Sequence, residues 1–576
     1  MTKRPESRTR SARAAWHQID ALRLGTNWAE DDLDKLQVLV DDVFGDSHPG
    51  SVHLSGLSEE VSIGVWESAG KPSTFHVTDV CDGCAMGHSG MNYVLPSREL
   101  IADLTETHAS FIPWDAMVLV SSCDKSIPAH LMAAARVNIP TVHLPGGSMS
   151  PGPEMSTSDK TTETSLLEKV GKITPEQIRR YKLTGCPSCG ACQFMGTAST
   201  MQCMSEALGL ALPGSALVPA TGQEIRRCAR CTGRLAIQLA KTGLTPRQVL
   251  MPAAFENAIK VHAAISGSTN ALIHLPAIAH EAGIELDMAL FDKANASIPL
   301  LASIQPSGRF VTELFWLAGG VPRVQWEIRD QLHLDALTVT GRTLRENLDA
   351  LWHDGFFDRG QGFLANYRLQ PEEVIRPAAK AESRGSVAIL RGNLAPEGAV
   401  VKHAAVHPRM MRHVGRALVF DSEEAAHSAL VQGKVAPGSV LIIRYEGPRG
   451  SGMPEMFMTT GALMAIPELA TTTALVTDGR FSGGTKGPCI GHVSPEAAAA
   501  GPIALVQDGD LIQIDIPARK LNTVGAGGVE KGPDQVAALL AERRRGWQMP
   551  SLPAKRGVLK RYTDHAVSAM KGAYLP

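Results

Sequence analysis

The sequence has few aromatic residues and almost no net charge. Phe, Trp and Tyr together make up 5% of its 576 residues, and the formal net charge is −2 at pH 7. A surface that binds nucleic acid or an anionic membrane needs a basic field, and single-stranded nucleic acid also needs aromatic rings for stacking. The composition therefore argues against nucleic-acid and membrane-surface partners.

Long apolar runs are also missing. No segment approaches the ~18 uninterrupted apolar residues of a membrane span. The first residues, Met1–Arg13, are polar and rich in Arg, and no apolar stretch of the kind found in a secretory signal follows them. We therefore expect a soluble, cytoplasmic protein that has no membrane partner.

The cysteines are concentrated in one part of the chain. Nine of the ten lie within the first 231 residues. In a large chain that is not exported, cysteines are expected to be reduced thiols rather than disulfides. Their clustering suggests that some of them are metal ligands.

The pattern of apolar runs predicts an α/β fold for the first two thirds of the chain. Ala116–Ser121 is typical of a buried parallel strand, residues 127–137 of a helix, and residues 139–144 of a second strand. The turn Ser122–Lys125 then lies at the carboxyl end of the first strand, where open α/β sheets tend to bind ligands.

The pattern of apolar segments changes after residue 380. Short β-like runs separated by Gly- and Pro-bearing turns follow one another, at residues 386–390, 417–420, 439–443, 473–477 and 511–516. We predict an α/β domain with a parallel sheet that carries the metal loops at 1–380, a β-rich, barrel-like domain at 386–548, and a helical C-terminal tail at 549–576.

The densest chemical feature is the loop Cys186-Pro-Ser-Cys189-Gly-Ala-Cys192. Thiolates spaced by two residues in a loop that contains Gly can turn inward toward one metal or cluster. Position 196, where a ferredoxin-type run would have its fourth Cys, is Gly. The loop predicts an iron–sulfur cluster, and a zinc site remains an alternative.

Two other segments combine thiols with carboxylates. Asp82 lies between Cys81 and Cys84, and Cys123-Asp124-Lys125 occupy consecutive positions at the predicted strand end. Carboxylate oxygens suit Mg²⁺, whereas thiolates suit iron. The pattern predicts two different metals side by side, although an Asp–Lys pair taken alone is also typical of a surface ion pair.

From about Gly45 to its C-terminus, the sequence resembles the dihydroxy-acid and 6-phosphogluconate dehydratases, a family that includes the aldonic (sugar) acid dehydratases. The resemblance rests on nine motifs in order along the chain, which are Cys81–His88, Leu95–Glu99, Ser122–Lys125, Cys186–Cys192, Gly267–Asn270, Gly392–Pro396, Tyr445–Pro448, Gly452–Met456 and Thr477–Gly484. It implies an enzyme that removes water from a 2,3-dihydroxy carboxylic acid to give a 2-keto acid, with an iron–sulfur cluster and Mg²⁺ as cofactors. It also implies a homodimer or homotetramer.

The resemblance also assigns roles to residues at matching positions. Cys123 and Cys192 correspond to cluster ligands, and Ser482 to the serine that removes the proton from C2. The residues that correspond to the Mg²⁺ site are Asp82, Asp124, Glu455 and Lys125, the last as a carbamylated lysine.

The sequence departs from the family at one ligand position. Many members have a further cluster cysteine in a Pro-Cys-Asn segment, and this chain has Gly50 there, after Pro49. We predict Cys84 as the third thiolate, with Cys81 or Cys189 as alternatives, and we favour a [2Fe–2S] cluster over a [4Fe–4S] cluster.

Several segments resemble the sugar-acid branch of the family. Gly196 and Ser199 are smaller than the residues typical of the branched-chain enzymes, which suggests room for a longer, hydroxylated substrate such as xylonate, arabinonate or gluconate. Polar residues that could bind its hydroxyl groups are Ser199, Thr200, Ser268 and Thr269. The alternatives are a dihydroxy-acid dehydratase of branched-chain amino-acid synthesis, an iron–sulfur electron-transfer or sensing protein, and a zinc-stabilised binding protein.

Overall fold

The computed structural model describes residues 7–576 except 160–163, 165–166, 169–170, 484 and 486. Gly484, the last residue of the Thr477–Gly484 motif, therefore lies outside the described residues. The strands are β1 Gln37–Asp42, β2 Lys71–His76, β3 Ala116–Ser121, β4 Thr141–Pro145, β5 Ala388–Leu390, β6 Gly398–Val401, β7 Arg412–Phe420, β8 Val440–Ile443, β9 Ala474–Thr477, β10 Cys489–Ser494, β11 Leu511–Asp515, β12 Lys520–Ala526 and β13 Val529–Glu530.

Helices fill most of the remaining chain. Those in the described residues are Thr9–Ala15, Gln18–Leu24, Leu54–Glu67, Asp82–Ala85, Val94–Ser110, Ser126–Val137, Pro175–Thr184, Thr197–Ala207, Gln223–Thr242, Pro246–Val249, Pro252–Ala264, Ala271–Glu281, Ala289–Ser297, Thr312–Leu317, Gly320–Glu327, Leu344–His353, Phe356–Leu364, Pro371–Val374, Glu423–Val431, Pro448–Ser451, Phe457–Ala465, Pro467–Ala470, Pro533–Gly546 and Gly557–His565.

The first sheet has four parallel strands in the order β2-β1-β3-β4. All six residues of β3 are buried, as the run of apolar and β-branched residues predicts. The predicted strand at 116–121 is β3, and the predicted strand at 139–144 is observed as β4 two residues later. β1 and β2 were not predicted, and β2 is a polar edge strand that is partly exposed.

The second sheet has nine strands in the order β13-β12-β11-β7-β8-β9-β10-β6-β5. It curls until its β5 end meets β12, where the Arg391 amide donates to the carbonyl of Arg519 and the Leu521 amide donates to the carbonyl of Arg391, both at 2.9 Å. The predicted α/β class with a parallel sheet and a curled, β-rich C-terminal region is thus confirmed. The domain boundaries proposed above stay predictions.

The end of the chain packs back onto the first part of the molecule. Arg98, a fully buried residue of the helix Val94–Ser110, donates hydrogen bonds of 3.0 Å to the carbonyls of Gly572 and Ala573. The hydroxyl of Tyr562 donates to the same Ala573 carbonyl at 2.6 Å. The last residues are therefore held by buried polar contacts.

Two glycines allow the helices Leu54–Glu67 and Gln223–Thr242 to approach closely beneath the first sheet. A Cβ added at Gly64 would lie 2.1 Å from the carbonyl oxygen of Arg230, and one added at Gly233 would lie 2.1 Å from that of Val61. Real atoms cannot approach so closely, so any side chain at either position must push the helices apart.

We predict that Gly64→Ala lowers the free energy of unfolding by about 1–3 kcal/mol, because the added methyl group overlaps with the backbone of the neighbouring helix. Gly56→Ala is the matched control, since a Cβ at Gly56 in the same helix meets no atom within 4 Å. The control should leave stability unchanged or raise it by up to about 1 kcal/mol. Urea unfolding followed by circular dichroism measures both, and equal effects would contradict this packing.

Candidate active site

One large cavity is lined by residues from both parts of the chain. Its volume is about 580 Å³. Several of the residues that the sequence singled out line it together, namely Cys81, Asp82, Cys84, Cys123, Asp124, Cys186, Cys192, Glu455 and Ser482. These positions span 400 residues of sequence, so the fold brings thiols, carboxylates and a hydroxyl from both parts of the chain to one place.

The turn after β3 presents Cys123 and Asp124 to this cavity. It is fixed from both sides, because the Cys123 amide donates to the Ser126 hydroxyl at 3.2 Å and the side-chain amide of Gln202 donates to the Ser122 carbonyl at 3.3 Å. The helix Ser126–Val137 begins directly after the turn, with most of its residues buried. A central strand and a buried helix thus hold the turn rigidly.

Three carboxylates meet at one point of the cavity. Asp82, Asp124 and Glu455 each offer an oxygen atom, and these atoms lie within 4.8 Å of one another. Asp82 Oδ1 is buried and has no hydrogen-bond partner among the described residues. An oxygen-rich site of this kind fits a hard divalent cation such as Mg²⁺.

The carboxylates also shift one another's protonation. Burial raises the pKa of Asp124 to about 8, with a further contribution from the nearby Asp82 carboxylate. Burial likewise raises the pKa of Glu455, which the Arg480 guanidinium opposes. Negative charge is therefore costly in this group, and a bound cation would stabilise it.

Two buried cations are paired with these acids. Lys125 Nζ lies 2.8 Å from Asp82 Oδ2, and Arg480 lies 2.5 Å from Glu455 and 3.4 Å from Asp82. Arg480 Nε also donates to the carbonyl of Met453 at 2.7 Å. Both cations are fully buried. The guanidinium thus faces the carboxylate group and the backbone of Met453.

The thiols form a second group beside the carboxylates. A hydrogen bond from Cys123 lowers the pKa of Cys81 to about 6, and the same bond, together with burial, raises the pKa of Cys123 well above its usual value. Burial raises the pKa of Cys192 in the same way. Thiolates held this closely repel one another unless a cation binds them, so the donor set fits a metal or an iron–sulfur cluster.

The three candidates for a third cluster ligand differ in position. Cys81 is partly buried and Cys84 is exposed, and both line the cavity. Cys189 is partly buried but is absent from the described residues that line it. Cys186, which was not proposed as a third ligand, does line the cavity.

Ser482 reaches the cavity on a loop that follows β9. A Cβ added at the next residue, Gly483, would lie 2.7 Å from the Cα of Gly196, so the two backbones are in close contact. The hydroxyl of Ser482 lies 3.1 Å from that of Thr485. A small adjoining cavity is lined by Ser482, Lys402 and His492, and burial lowers the pKa of this lysine to about 8.

The residues predicted to bind substrate hydroxyl groups are placed differently. Ser199 donates to the carbonyl of Cys192 at 2.9 Å, the Thr200 hydroxyl accepts from the Ser268 amide at 2.9 Å, and the Ser268 hydroxyl lies 3.0 Å from that of Thr197. Ser199, Thr200 and Ser268 are fully buried and absent from the described lining of the large cavity. Thr269 lines the small cavity beside Ser482.

Several residues of the site were given no role by the sequence analysis. His48 Nε2 lies 2.7 Å from Asp79 Oδ1, and both side chains are buried beside the thiols. Asn270 donates to Glu455 at 2.8 Å, and Lys402 donates to the Ser266 carbonyl at 3.0 Å. Asn270 lies in a quoted motif, Asp79 lies two residues before one, and His48 directly precedes Pro49 and Gly50, whereas Lys402 carries no comparable signal.

In the described part of the chain, no helix combines the length and apolar character that crossing a membrane requires.

Comparisons with known proteins cover most of the chain. The family description "Dihydroxy-acid/6-phosphogluconate dehydratase N-terminal" matches residues 35–347, and its C-terminal counterpart matches residues 373–573. The chain is 42% identical to dihydroxy-acid dehydratase 1 of Methanosarcina acetivorans over 559 residues, or 96% of each chain. It is 41% identical to dihydroxy-acid dehydratase of Acetivibrio thermocellus over 565 residues, which cover 96% of this chain and 97% of the relative. It is 46% identical to that of Ignicoccus hospitalis over 539 residues, or 92% of each chain.

We predict that Glu455→Gln weakens binding of Mg²⁺, or of Mn²⁺ as its probe, by about 10- to 100-fold, since it removes one charge from the carboxylate group. Titration with Mn²⁺ followed by electron paramagnetic resonance measures the change. Glu468→Gln, at an exposed glutamate, is the control and should leave the affinity unaltered. Equal affinities in both variants would mean that the cation binds elsewhere.

Proposed function

The chain belongs to the dihydroxy-acid/6-phosphogluconate dehydratase family and is a dehydratase, and we propose that it removes water from a 2,3-dihydroxy carboxylic acid with a short aliphatic side chain. The product is the corresponding 2-keto acid. The observation that carries the proposal is the convergence of Cys123 and Cys192, the carboxylate group and Ser482 on one cavity.

The aliphatic substrate is favoured by the character of the cavity. Its wall includes several large apolar side chains, which are Met86, Met149, Phe194, Phe457 and Met464. Such a wall suits an alkyl group better than a row of hydroxyl groups, which would lose their hydrogen bonds to water. The three relatives reported above are named dihydroxy-acid dehydratase, which supports the same choice.

The sugar-acid preference derived from small residues is therefore not the function we propose. Gly196 was expected to leave room for a longer substrate, but the ring of Phe194 lies where a side chain would begin, 2.9 Å from an added Cβ. The hydroxyl groups of Ser199, Thr200 and Ser268 are engaged with other protein groups. These observations support the branched-chain alternative.

The residues present fit both implied cofactors. Asp82, Asp124 and Glu455 would hold Mg²⁺, with Lys125 as a further oxygen ligand once it is carbamylated, and Cys123 and Cys192 would hold an iron–sulfur cluster. When bound, these groups would supply Lewis acidity toward the C3 hydroxyl, the C2 hydroxyl and the carboxylate of the substrate.

Carbamylation of Lys125 would also change the charge balance of the site. The ammonium group now lies 2.8 Å from Asp82, where it neutralises a carboxylate. A carbamate would replace a positive charge by a negative one, and the more negative site would then attract a divalent cation. Arg480 would remain as the fixed positive charge of the group.

Ser482 is the residue we assign to the proton at C2. A free hydroxyl is a weak base, so its alkoxide must be stabilised by positive charge close by. Arg480 is engaged with carboxylates and with Met453, whereas Lys402 shares the small cavity with Ser482. The apolar wall helps by excluding water from the proton transfer.

Two functions from other classes make different demands on the same residues. An electron-transfer or iron-sensing protein has no use for three carboxylates beside its thiols, and a zinc-stabilised binding protein has no use for Ser482. Metal and sulfide analysis of anaerobically purified protein distinguishes them. We expect iron and sulfide together, and zinc alone would eliminate the proposed cofactor.

We predict that Ser482→Ala lowers kcat by about 10²- to 10⁴-fold, the usual contribution of a positioned general base. Fold and iron content should be retained, because the side chain is small and lies on a loop. Ser428→Ala, at an exposed serine, is the control. Normal turnover by Ser482→Ala would rule out this serine as the base.

We also predict faster turnover of 2,3-dihydroxyisovalerate than of D-xylonate, L-arabinonate or D-gluconate. The measurement is the rate of 2-keto acid formation at equal substrate concentrations. If a sugar acid gives the higher kcat/KM, the aliphatic assignment fails and the sugar-acid alternative is restored.

A further inference from the structure

We propose that Cys81 is the third thiolate of the cluster site, beside Cys123 and Cys192. This inference rests on the proposed function, since it assumes that the chain holds an iron–sulfur cluster. It also revises the choice made from the sequence, which placed Cys84 first.

Cys81 lies in the middle of the thiol group. Its sulfur is hydrogen-bonded with those of both Cys123 and Cys84, and it interacts electrostatically with Cys186 and Cys192. The sulfur of Cys81 would therefore lie beside a cluster held by Cys123 and Cys192.

The backbone around Cys81 is fixed in a way that suits a ligand. The carbonyl of Cys81 accepts hydrogen bonds of 3.1 Å from the amides of Cys84 and Ala85, which begins the short helix Asp82–Ala85. Its side chain passes Gly83, where an added Cβ would lie 3.6 Å from the sulfur. Ligand geometry is precise when the supporting backbone is rigid.

Cys84 is less well placed than Cys81. It is exposed and interacts with Cys81 and Cys186, whereas Cys81 is partly buried and also contacts the buried Cys123. A thiol on the open side of the cavity can be reached by solvent, which labilises a cluster. Cys84 can shield Cys81 from solvent without binding iron itself.

Gly50 lies directly against Cys123. A Cβ added there would lie 3.2 Å from the sulfur of Cys123 and 3.1 Å from Nδ1 of His48. The backbone of Gly50 is not in the left-handed region, so a cysteine can adopt its conformation. A thiol introduced at position 50 would therefore lie beside the sulfur of Cys123.

His48 is the competing ligand. Asp79 and Ser51 both lie within hydrogen-bonding distance of its Nε2, and its buried Nδ1 has no partner among the described residues. A histidine oriented by a carboxylate is a common metal ligand. The experiment must therefore separate a thiolate at position 81 from an imidazole at position 48.

The test compares iron and sulfide content, visible absorption and the paramagnetic resonance of the reduced protein in four variants purified without oxygen. These are Cys81→Ser, Cys84→Ser, His48→Ala and the double variant Gly50→Cys with Cys81→Ser. After exposure to a chelator, we expect Cys81→Ser to hold about one tenth or less of the iron that the unmodified protein holds. Cys84→Ser and His48→Ala should retain iron as the unmodified protein does, and Gly50→Cys should restore it.

The outcomes separate the assignments. If Cys81→Ser keeps its iron and spectrum, or if Cys84→Ser or His48→Ala alone loses them, the assignment is overturned. If Cys81→Ser does not fold, or if several variants lose iron together, recovery in the double variant supports Cys81 and its absence overturns the assignment. Iron content does not depend on turnover, so failure here leaves the dehydratase proposal standing, whereas an unmodified protein without iron and sulfide removes the proposed cofactor itself.

Discussion

The pairing of three carboxylates, two of them buried, with two buried cations is the constraint on which this structure depends. An isolated charge in a protein interior is costly, and pairing offsets that cost only when the partners are precisely placed. Arg480 bridges Asp82 and Glu455, and its contact with Asp82 joins residues 398 positions apart. Asp82, Asp124 and Lys125 leave one negative charge unbalanced in the first part of the chain, so the contact of Arg480 with Asp82 joins the two parts at the site.

Some parts of the site could be predicted from the sequence, and others could not. Ser122–Lys125 follows an apolar run that is recognisable as a buried strand, so its position at the carboxyl end of β3 could be predicted. The choice between Cys81 and Cys84 could not, because two thiols in one short loop differ only in the directions of their side chains. Ser199, Thr200 and Ser268 show the same limit, since a small polar residue can face a ligand or a neighbouring backbone.

Elements without a strong pattern were also missed. β2 is a polar edge strand, and β6, β10, β12 and β13 add to the second sheet without being identified beforehand. Lys402 stands in a segment whose spacing suggests nothing, and His48 was given no role although it precedes Pro49 and Gly50. Both matter because the fold buries them beside reactive groups. The overall α/β class depends on many weak signals together, and this is why it could be predicted more readily than individual side-chain contacts.

The contacts of residues 572 and 573 with Arg98 have a consequence for when the site can form during synthesis. All the thiols that line the cavity have been made once the chain reaches residue 192. The carbonyls to which Arg98 donates hydrogen bonds belong to residues 572 and 573. Through most of translation the thiols are present while the later wall of their cavity does not yet exist. The wall of the cavity is complete only when the chain up to Thr485 has been made, and the contacts of Arg98 with residues 572 and 573 form later still.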